Sequence, residues 1–76
     1  MKAYVLINVR PGEIRQVVDM VRRIDGVVEA YMTFGPYDVV VTVQANDITH
    51  LGNLLSGKIQ PGPGVIETLT CLAVES

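Results

Sequence analysis

One stretch of this chain gathers unlike functional groups at a single turn: Thr33-Phe34-Gly35-Pro36-Tyr37-Asp38. It brings together a hydroxyl, an unhindered backbone, a phenol and a carboxylate. Such a set can hold a zwitterion. Asp38 can accept hydrogen bonds from an ammonium, and charge-assisted bonds are the stronger kind. Gly35 lets a ligand approach main-chain N–H groups. Tyr37 supplies a flat apolar wall with a polar tip. The same residues also make an ordinary hairpin turn, in which Gly and Pro bend the chain and Asp38 caps local amides. On the residues alone, both readings stand.

Machinery for catalysis is scarce elsewhere. A hydrolytic triad needs a nucleophile, a base and an orienting acid. The chain has one histidine, His50, on the exposed side of a helical pattern. Its one cysteine, Cys71, lies beside Thr70 in a strand-like run and reads as a small core thiol. One cysteine makes neither an internal disulfide nor a zinc site. Arg10 precedes a single Pro11-Gly12, which is not a phosphate cradle, and no phosphate-loop motif is present. The expectation is a protein without catalytic residues, cofactor or metal.

The elements that must position the turn follow from periodicity. Thirteen Val, six Ile and five Thr favour strands. Lys2 to Val9 alternates, with Ala3, Val5, Ile7 and Val9 on one face and Tyr4 and Leu6 on the other, as expected of a central strand. Ile14, Val17, Val18, Val21 and Ile24 follow helical spacing, with Pro11 in the first turn and Gly26 as the cap. Val27 to Phe34 and Tyr37 to Ala45 read as strands around the Gly35-Pro36 turn. Asn46 or Asp47 caps a second helix with a stripe of Ile48, Leu51, Leu54 and Leu55. Gln60 to Gly64 is a loop, and Val65 to Val74 a final strand.

The order is β-α-β-β-α-β. Gly26-Val27-Val28-Glu29 recurs as Gly64-Val65-Ile66-Glu67, 38 residues later. This fits two βαβ halves and predicts an α+β, ferredoxin-like αβ-sandwich over residues 1–76 as a single domain. Right-handed crossovers put both helices on one face of a four-stranded antiparallel sheet, with the first and third strands central.

Composition sets further limits. The chain has 76 residues, 49% of them apolar, and a net charge of −2 from six Lys and Arg against eight Asp and Glu. That excludes disorder and leaves no basic stripe for nucleic acid. The longest unbroken apolar run, Ala3 to Ile7, is far too short to span a bilayer. No signal-peptide layout is visible, so a cytoplasmic setting is expected. A domain this small buries only about 60% of the surface its unfolded chain exposes, so the apolar fraction is high for a monomer. The surplus is assigned to the sheet face opposite the helices: Tyr4, Leu6 and Val40, with some of Ile66, Leu72 and Val74. An open apolar face of that kind marks an interface, here with a second copy.

The run Gly26-Val27-Val28-Glu29-Ala30, then Thr33, then Gly35-Pro36-Tyr37-Asp38-Val39, followed by Ile59, Pro63-Gly64-Val65 and Thr68, resembles the C-terminal effector (RAM) domain of the Lrp/AsnC family. The resemblance covers nearly the whole chain. It implies dimerisation through the sheets and assembly of dimers into rings, often octamers. It also implies an amino acid or related small effector bound between dimers near the Gly-x-Tyr-Asp turn. Carried over, Gly35, Tyr37 and Asp38 match the motif; Thr33 precedes it, and Thr68 and Thr70 are candidates for the same cleft. Family regulators carry an N-terminal helix-turn-helix, whereas this chain starts at the first strand, like the stand-alone RAM proteins. The expected role is effector sensing without direct DNA binding, or co-assembly with full-length regulators. Three alternatives stay open. One is an ACT-like amino-acid sensor using the Pro11-Gly12 loop. Another is a small dimeric αβ-barrel enzyme relying on His50. The third is a structural partner whose turn only makes subunit contacts.

Overall fold

The alternation in the first segment becomes a strand, β1 (Lys2–Val9), with Ala3, Val5, Ile7 and Val9 buried and Tyr4 exposed. In this computed structural model, which describes residues 1–74, β1 lies between two partners. One is β3 (Val39–Gln44), paired antiparallel with Leu6 opposite Val40. The other is β4 (Val65–Leu72), with Leu6 opposite Leu69. The second strand, β2 (Val27–Met32), pairs with β3 at the far edge, so the sheet order is β2-β3-β1-β4. The two central strands are therefore the first and third.

Helix α1 (Ile14–Arg22) buries Val17, Val18 and Val21 completely, the stripe expected from their spacing. It starts later than Pro11. The Glu13 N–H donates to the Arg10 carbonyl at 3.0 Å, closing a tight turn through Pro11-Gly12 before the helix begins. It also ends before Gly26, which instead opens β2 at φ 99°. The Arg22 guanidinium donates twice to the Ala30 carbonyl, at 3.1 and 2.7 Å, fastening the last turn of α1 to β2.

Helix α2 (Ile48–Leu54) is capped by Asp47, whose carboxylate accepts the His50 N–H at 2.8 Å. A π-helical turn, Leu55–Ile59, continues it, with the Gln60 N–H reaching back to the Leu55 carbonyl. The wider turn moves the inward stripe from Leu51 and Leu54 to Ile59, five residues on. Ile48, expected in that stripe, is exposed, and Leu55 is only half-buried.

The 38-residue repeat has a structural counterpart. Gly26 and Gly64 both have positive φ, 99° and 89°. The Gly26 carbonyl accepts the Gln44 N–H and the Gly64 carbonyl accepts the Arg10 N–H, each at 2.8 Å. Each edge strand then carries a one-residue bulge at the same place. In β2, Val27 faces Val43 and Glu29 faces Thr42, leaving Val28 extra. In β4, Val65 faces Val9 and Glu67 faces Asn8, leaving Ile66 extra. Both bulged side chains are about equally exposed, at 61% and 63%.

The open face differs in part from expectation. Tyr4, Leu6 and Val40 lie on it, joined by Tyr31, Leu69 and Cys71. Leu72 faces Ala3 and so belongs to the helix side, Ile66 is the bulge, and Val74 lies beyond the strand. The bulge shifts β4 by one residue, which brings the odd-numbered side chains to the open face. Cys71 is thus exposed, not a core thiol. Thr42 is 8% exposed in the middle of this face.

Candidate ligand-binding site at the turn between β2 and β3

The turn is shorter in strand and longer in loop than the residue types suggest. β2 stops at Met32 and β3 starts at Val39, because Gly35, at φ 143°, and Pro36, with no N–H, cannot extend the ladder. The loop closes on itself: the Thr33 N–H donates to the Asp38 carbonyl at 3.0 Å, and the Thr33 hydroxyl donates to the Tyr37 carbonyl at 2.8 Å. It is also tied to the central strand. The Asp38 N–H donates to the Ile7 carbonyl at 2.9 Å, and Asp38 Oδ2 accepts the Val9 N–H at 2.8 Å. One carboxylate oxygen therefore has a structural duty. A carboxylate offers about four acceptor directions, so capacity is left for a ligand.

Asp38 and Thr33 line a shallow cavity of about 270 Å³ with Ile14, Met32 and Phe34. Met32 faces Val39 and points to the helix side of the sheet, where Ile14 opens α1. Phe34 projects fully exposed from the tip of the turn. Phe34 lies in the stretch picked out by residue type, but Ile14 and Met32 were not singled out, since Ile14 belongs to a helix stripe and Met32 to a strand. Only the meeting of the end of β2 with the start of α1 brings them to Asp38.

Gly35 and Tyr37 shape the turn without lining this cavity. Thr68 and Thr70 are not brought to it within one chain. They face Ile7 and Val5 from the far side of β1, half-buried. Thr68 thus stands two strand spacings, roughly 10 Å, from β3, and its hydroxyl accepts from Gln60 Nε2 at 3.5 Å.

The remaining chemical candidates have local partners. His50 Nδ1 accepts the Asn46 N–H at 3.0 Å, so the imidazole completes the cap of α2. It lies on the outside of that helix, bordering a groove with Asp25, Asn53, Leu54 and Lys58. Arg10 pairs with Glu13 at 3.4 Å in an exposed contact. Among the described residues, no group of three or more His, Cys, Asp or Glu could hold a metal ion. On the open face, the Tyr31 hydroxyl donates to Glu29 at 2.8 Å. That bond, and then the charge of the carboxylate, raises the phenol above its ordinary value.

The model of the Lrp/AsnC ligand-binding domain matches residues 2–76. The chain belongs to that family. An Lrp/AsnC relative, the HTH-type transcriptional regulator FL11 of Pyrococcus horikoshii, is 32% identical over 78 residues, covering 100% of this chain and 50% of the regulator. The chain spans about half the length of that curated relative. The crystal structure of TTHA0845 from Thermus thermophilus superposes with a TM-score of 0.94 at 31% identity, covering 99% of this chain and 94% of the other. A transcriptional regulator from Neisseria meningitidis, solved as an L-Met complex, shares the fold (TM-score 0.88, 14% identity), covering 97% of this chain and 49% of that one. The Lrp/AsnC match decides against the ACT-like and αβ-barrel enzyme readings. This is a ligand-binding domain of the kind found in transcription regulators. No helix among the described residues is long and apolar enough to cross a membrane.

Proposed function

We propose that this domain senses an amino acid or a related small effector and converts its binding into assembly, in the regulation of amino acid metabolism or transcription. The observation that carries this reading is the Asp38 carboxylate. It is anchored by Val9, joins no ion pair among the described residues, and borders a cavity of small-molecule size. An ammonium is the partner such a group is suited to. Thr33, Gly35, Tyr37 and Asp38 form the effector turn in this reading. Thr68 and Thr70 contribute from a neighbouring copy. The L-Met complex of the Neisseria regulator is in keeping with an amino-acid effector.

The assembly is a dimer formed through the open sheet face, with dimers joining in an octameric-type ring. Its support is the contiguous apolar surface of Tyr4, Leu6, Tyr31, Val40 and Leu69, which a lone domain leaves in water. Full-length Lrp/AsnC regulators are the natural co-assembly partners. With net charge −2, these residues themselves are assigned no contact with nucleic acid. The cytoplasm is the proposed location.

Titration calorimetry against the twenty amino acids tests the sensing role, with Asp38→Asn as the control that keeps an acceptor for Val9 but loses the charge. Binding that Asp38→Asn weakens supports it; silence at millimolar ligand ends it. A second reading is favoured by the turn's internal closure through Thr33 and Tyr37: the turn serves subunit contacts alone. Light scattering on Tyr37→Ala separates the two, because ligand-independent loss of assembly belongs to the structural role.

A further inference from the structure

The outer edge of β2 carries a separate cleft of about 240 Å³, lined by Arg22, Val27, Val28, Glu29, Ala30 and Tyr31. It shares no residue with the Asp38 cavity. Two donors in it are unspent. The first is the Arg22 guanidinium. Its Nε and Nη2 both donate to the Ala30 carbonyl, at 3.1 and 2.7 Å, which orients the group. A guanidinium carries its N–H groups in a rigid fork, so the edge formed by Nη1 and Nη2 is left over. Arg22 joins no ion pair among the described residues. The second donor is the Ala30 N–H. Backbone groups alternate in direction along an antiparallel strand. Thr33 turns its N–H toward β3 to reach Asp38, and Tyr31 and Glu29 share that direction, opposite Val40 and Thr42. Ala30 therefore faces outward. Its carbonyl meets Arg22, and its N–H points the same way with no acceptor among the described residues. Ala30 is only 2% exposed, and a buried N–H without an acceptor is rare.

We infer that this cleft binds a small monocarboxylate with an aliphatic body. The carboxylate accepts from the free edge of Arg22 and from the Ala30 N–H, and charge-assisted bonds of this kind are the stronger ones. The aliphatic body lies on Val27, Val28 and the Tyr31 ring. The bulge in β2 supports this placement. Val28 is the residue the ladder leaves out, and its side chain, 61% exposed, lines the cleft instead of meeting a cross-strand neighbour. Bulges re-aim side chains beside sites in this way. Charge selects a monoanion. Arg22 is the one cation lining the cleft, and Glu29 is the one carboxylate, engaged by the Tyr31 hydroxyl at 2.8 Å. A phosphate dianion would face Glu29 with twice the repulsion and no second cation. A simple amine would meet Arg22 with like charge. The volume falls below the range of drug-sized pockets, so the body is short. None of this depends on the role proposed for Asp38.

The test is an NMR titration of the full chain at constant ionic strength with isovalerate, acetate, inorganic phosphate and isoamylamine, followed at the Ala30 amide and the Arg22 Nε–H. Isovalerate should move both signals. Each buried methylene strengthens binding about fourfold, so isovalerate should bind at least about tenfold more tightly than acetate. Arg22→Lys keeps the charge but loses the fork, and should weaken isovalerate about tenfold or more. Because Arg22 also fastens α1 to β2, Val28→Ser provides a variant outside the core. It should narrow the gap between isovalerate and acetate while leaving acetate unchanged. Unmoved Ala30 and Arg22 signals at high millimolar isovalerate overturn the site. Phosphate or isoamylamine binding as tightly as isovalerate overturns the monocarboxylate class. Full affinity in a folded Arg22→Lys, or an unchanged gap in Val28→Ser, overturns the contacts assigned to the head and body of the ligand.

Discussion

The carboxylate of Asp38 holds the backbone N–H of Val9 at 2.8 Å, joining two residues 29 positions apart. This one bond fixes the turn after β2 to the end of the central strand β1. The group proposed to meet an effector is therefore also a structural clamp, and any ligand contact made at Asp38 would bear directly on the central strand.

Removing that clamp has a measurable cost. Asp38→Ala leaves the half-buried Val9 N–H without its acceptor and should destabilise the domain by about 1–3 kcal/mol. In a domain of this size each kcal/mol lowers Tm by about 4–8 °C. Asp38→Asn, which retains an acceptor oxygen, should lose less. Calorimetric melting of the two variants checks the order, and equal melting temperatures for all three proteins would refute the clamp.

Two glycines should respond to alanine in opposite directions. At Gly26, φ is 99° and an added Cβ would lie 2.7 Å from Leu54 Cδ1, against the buried face of α2. Gly26→Ala should cost about 1–3 kcal/mol. At Gly52, inside α2, an added Cβ meets nothing within 4 Å. Gly52→Ala should stabilise by about 0.5–1 kcal/mol. Urea denaturation midpoints of the two variants make the comparison.

Self-association through the open sheet face predicts the behaviour of Leu6→Lys. Leu6 sits between Val40 and Leu69 in the middle of that face. An unpaired charge there would be buried in a dimer, at a cost on the order of 3 kcal/mol or more, but would reach water in a monomer. Light scattering should show a folded monomer. A Leu6→Lys chain that still dimerises would rule this face out as the interface.

The Tyr31–Glu29 pair sets a pH dependence on the same face. Its phenol is raised above the ordinary 10.0, first by the hydrogen bond to Glu29 and then by that carboxylate's charge. A folded-state value above the unfolded one contributes stability below pH 10, and that contribution is lost as pH rises through the raised value. Glu29→Gln should bring the Tyr31 titration back toward 10.0 in an NMR titration of the ring. An unmoved titration would assign the shift to another cause.

Much of the fold is legible because period and burial agree. Ala3, Val5, Ile7 and Val9 alternate in the sequence and are all buried; Val17, Val18 and Val21 do the same at helical spacing. The misread elements share a cause: a local change in count that composition does not record. Leu54 and Leu55 are equally apolar, so nothing in their types announces the π turn that brings Ile59 inward. Ile66 is an ordinary strand residue, yet its bulge moves Leu69 and Cys71 to the open face in place of Leu72. The turn residues at the site were visible by type. Their walls were not, because Ile14 and Met32 meet Asp38 only after α1 packs beside β2. The bond from Val9 to Asp38 lay beyond any local pattern.

The paired bulges have a consequence for how this domain can change length. A strand's faces depend on parity: losing one paired residue inverts every side chain beyond it. Val28 and Ile66 stand outside that count. Without Val28, Val27 would still face Val43 and Glu29 would still face Thr42, so the faces of β2 would survive. Without Ala30, Tyr31 would turn into the core. The repeated Gly-Val-Val/Ile-Glu unit thus gives each edge strand one residue the sheet can surrender without reversing its two sides.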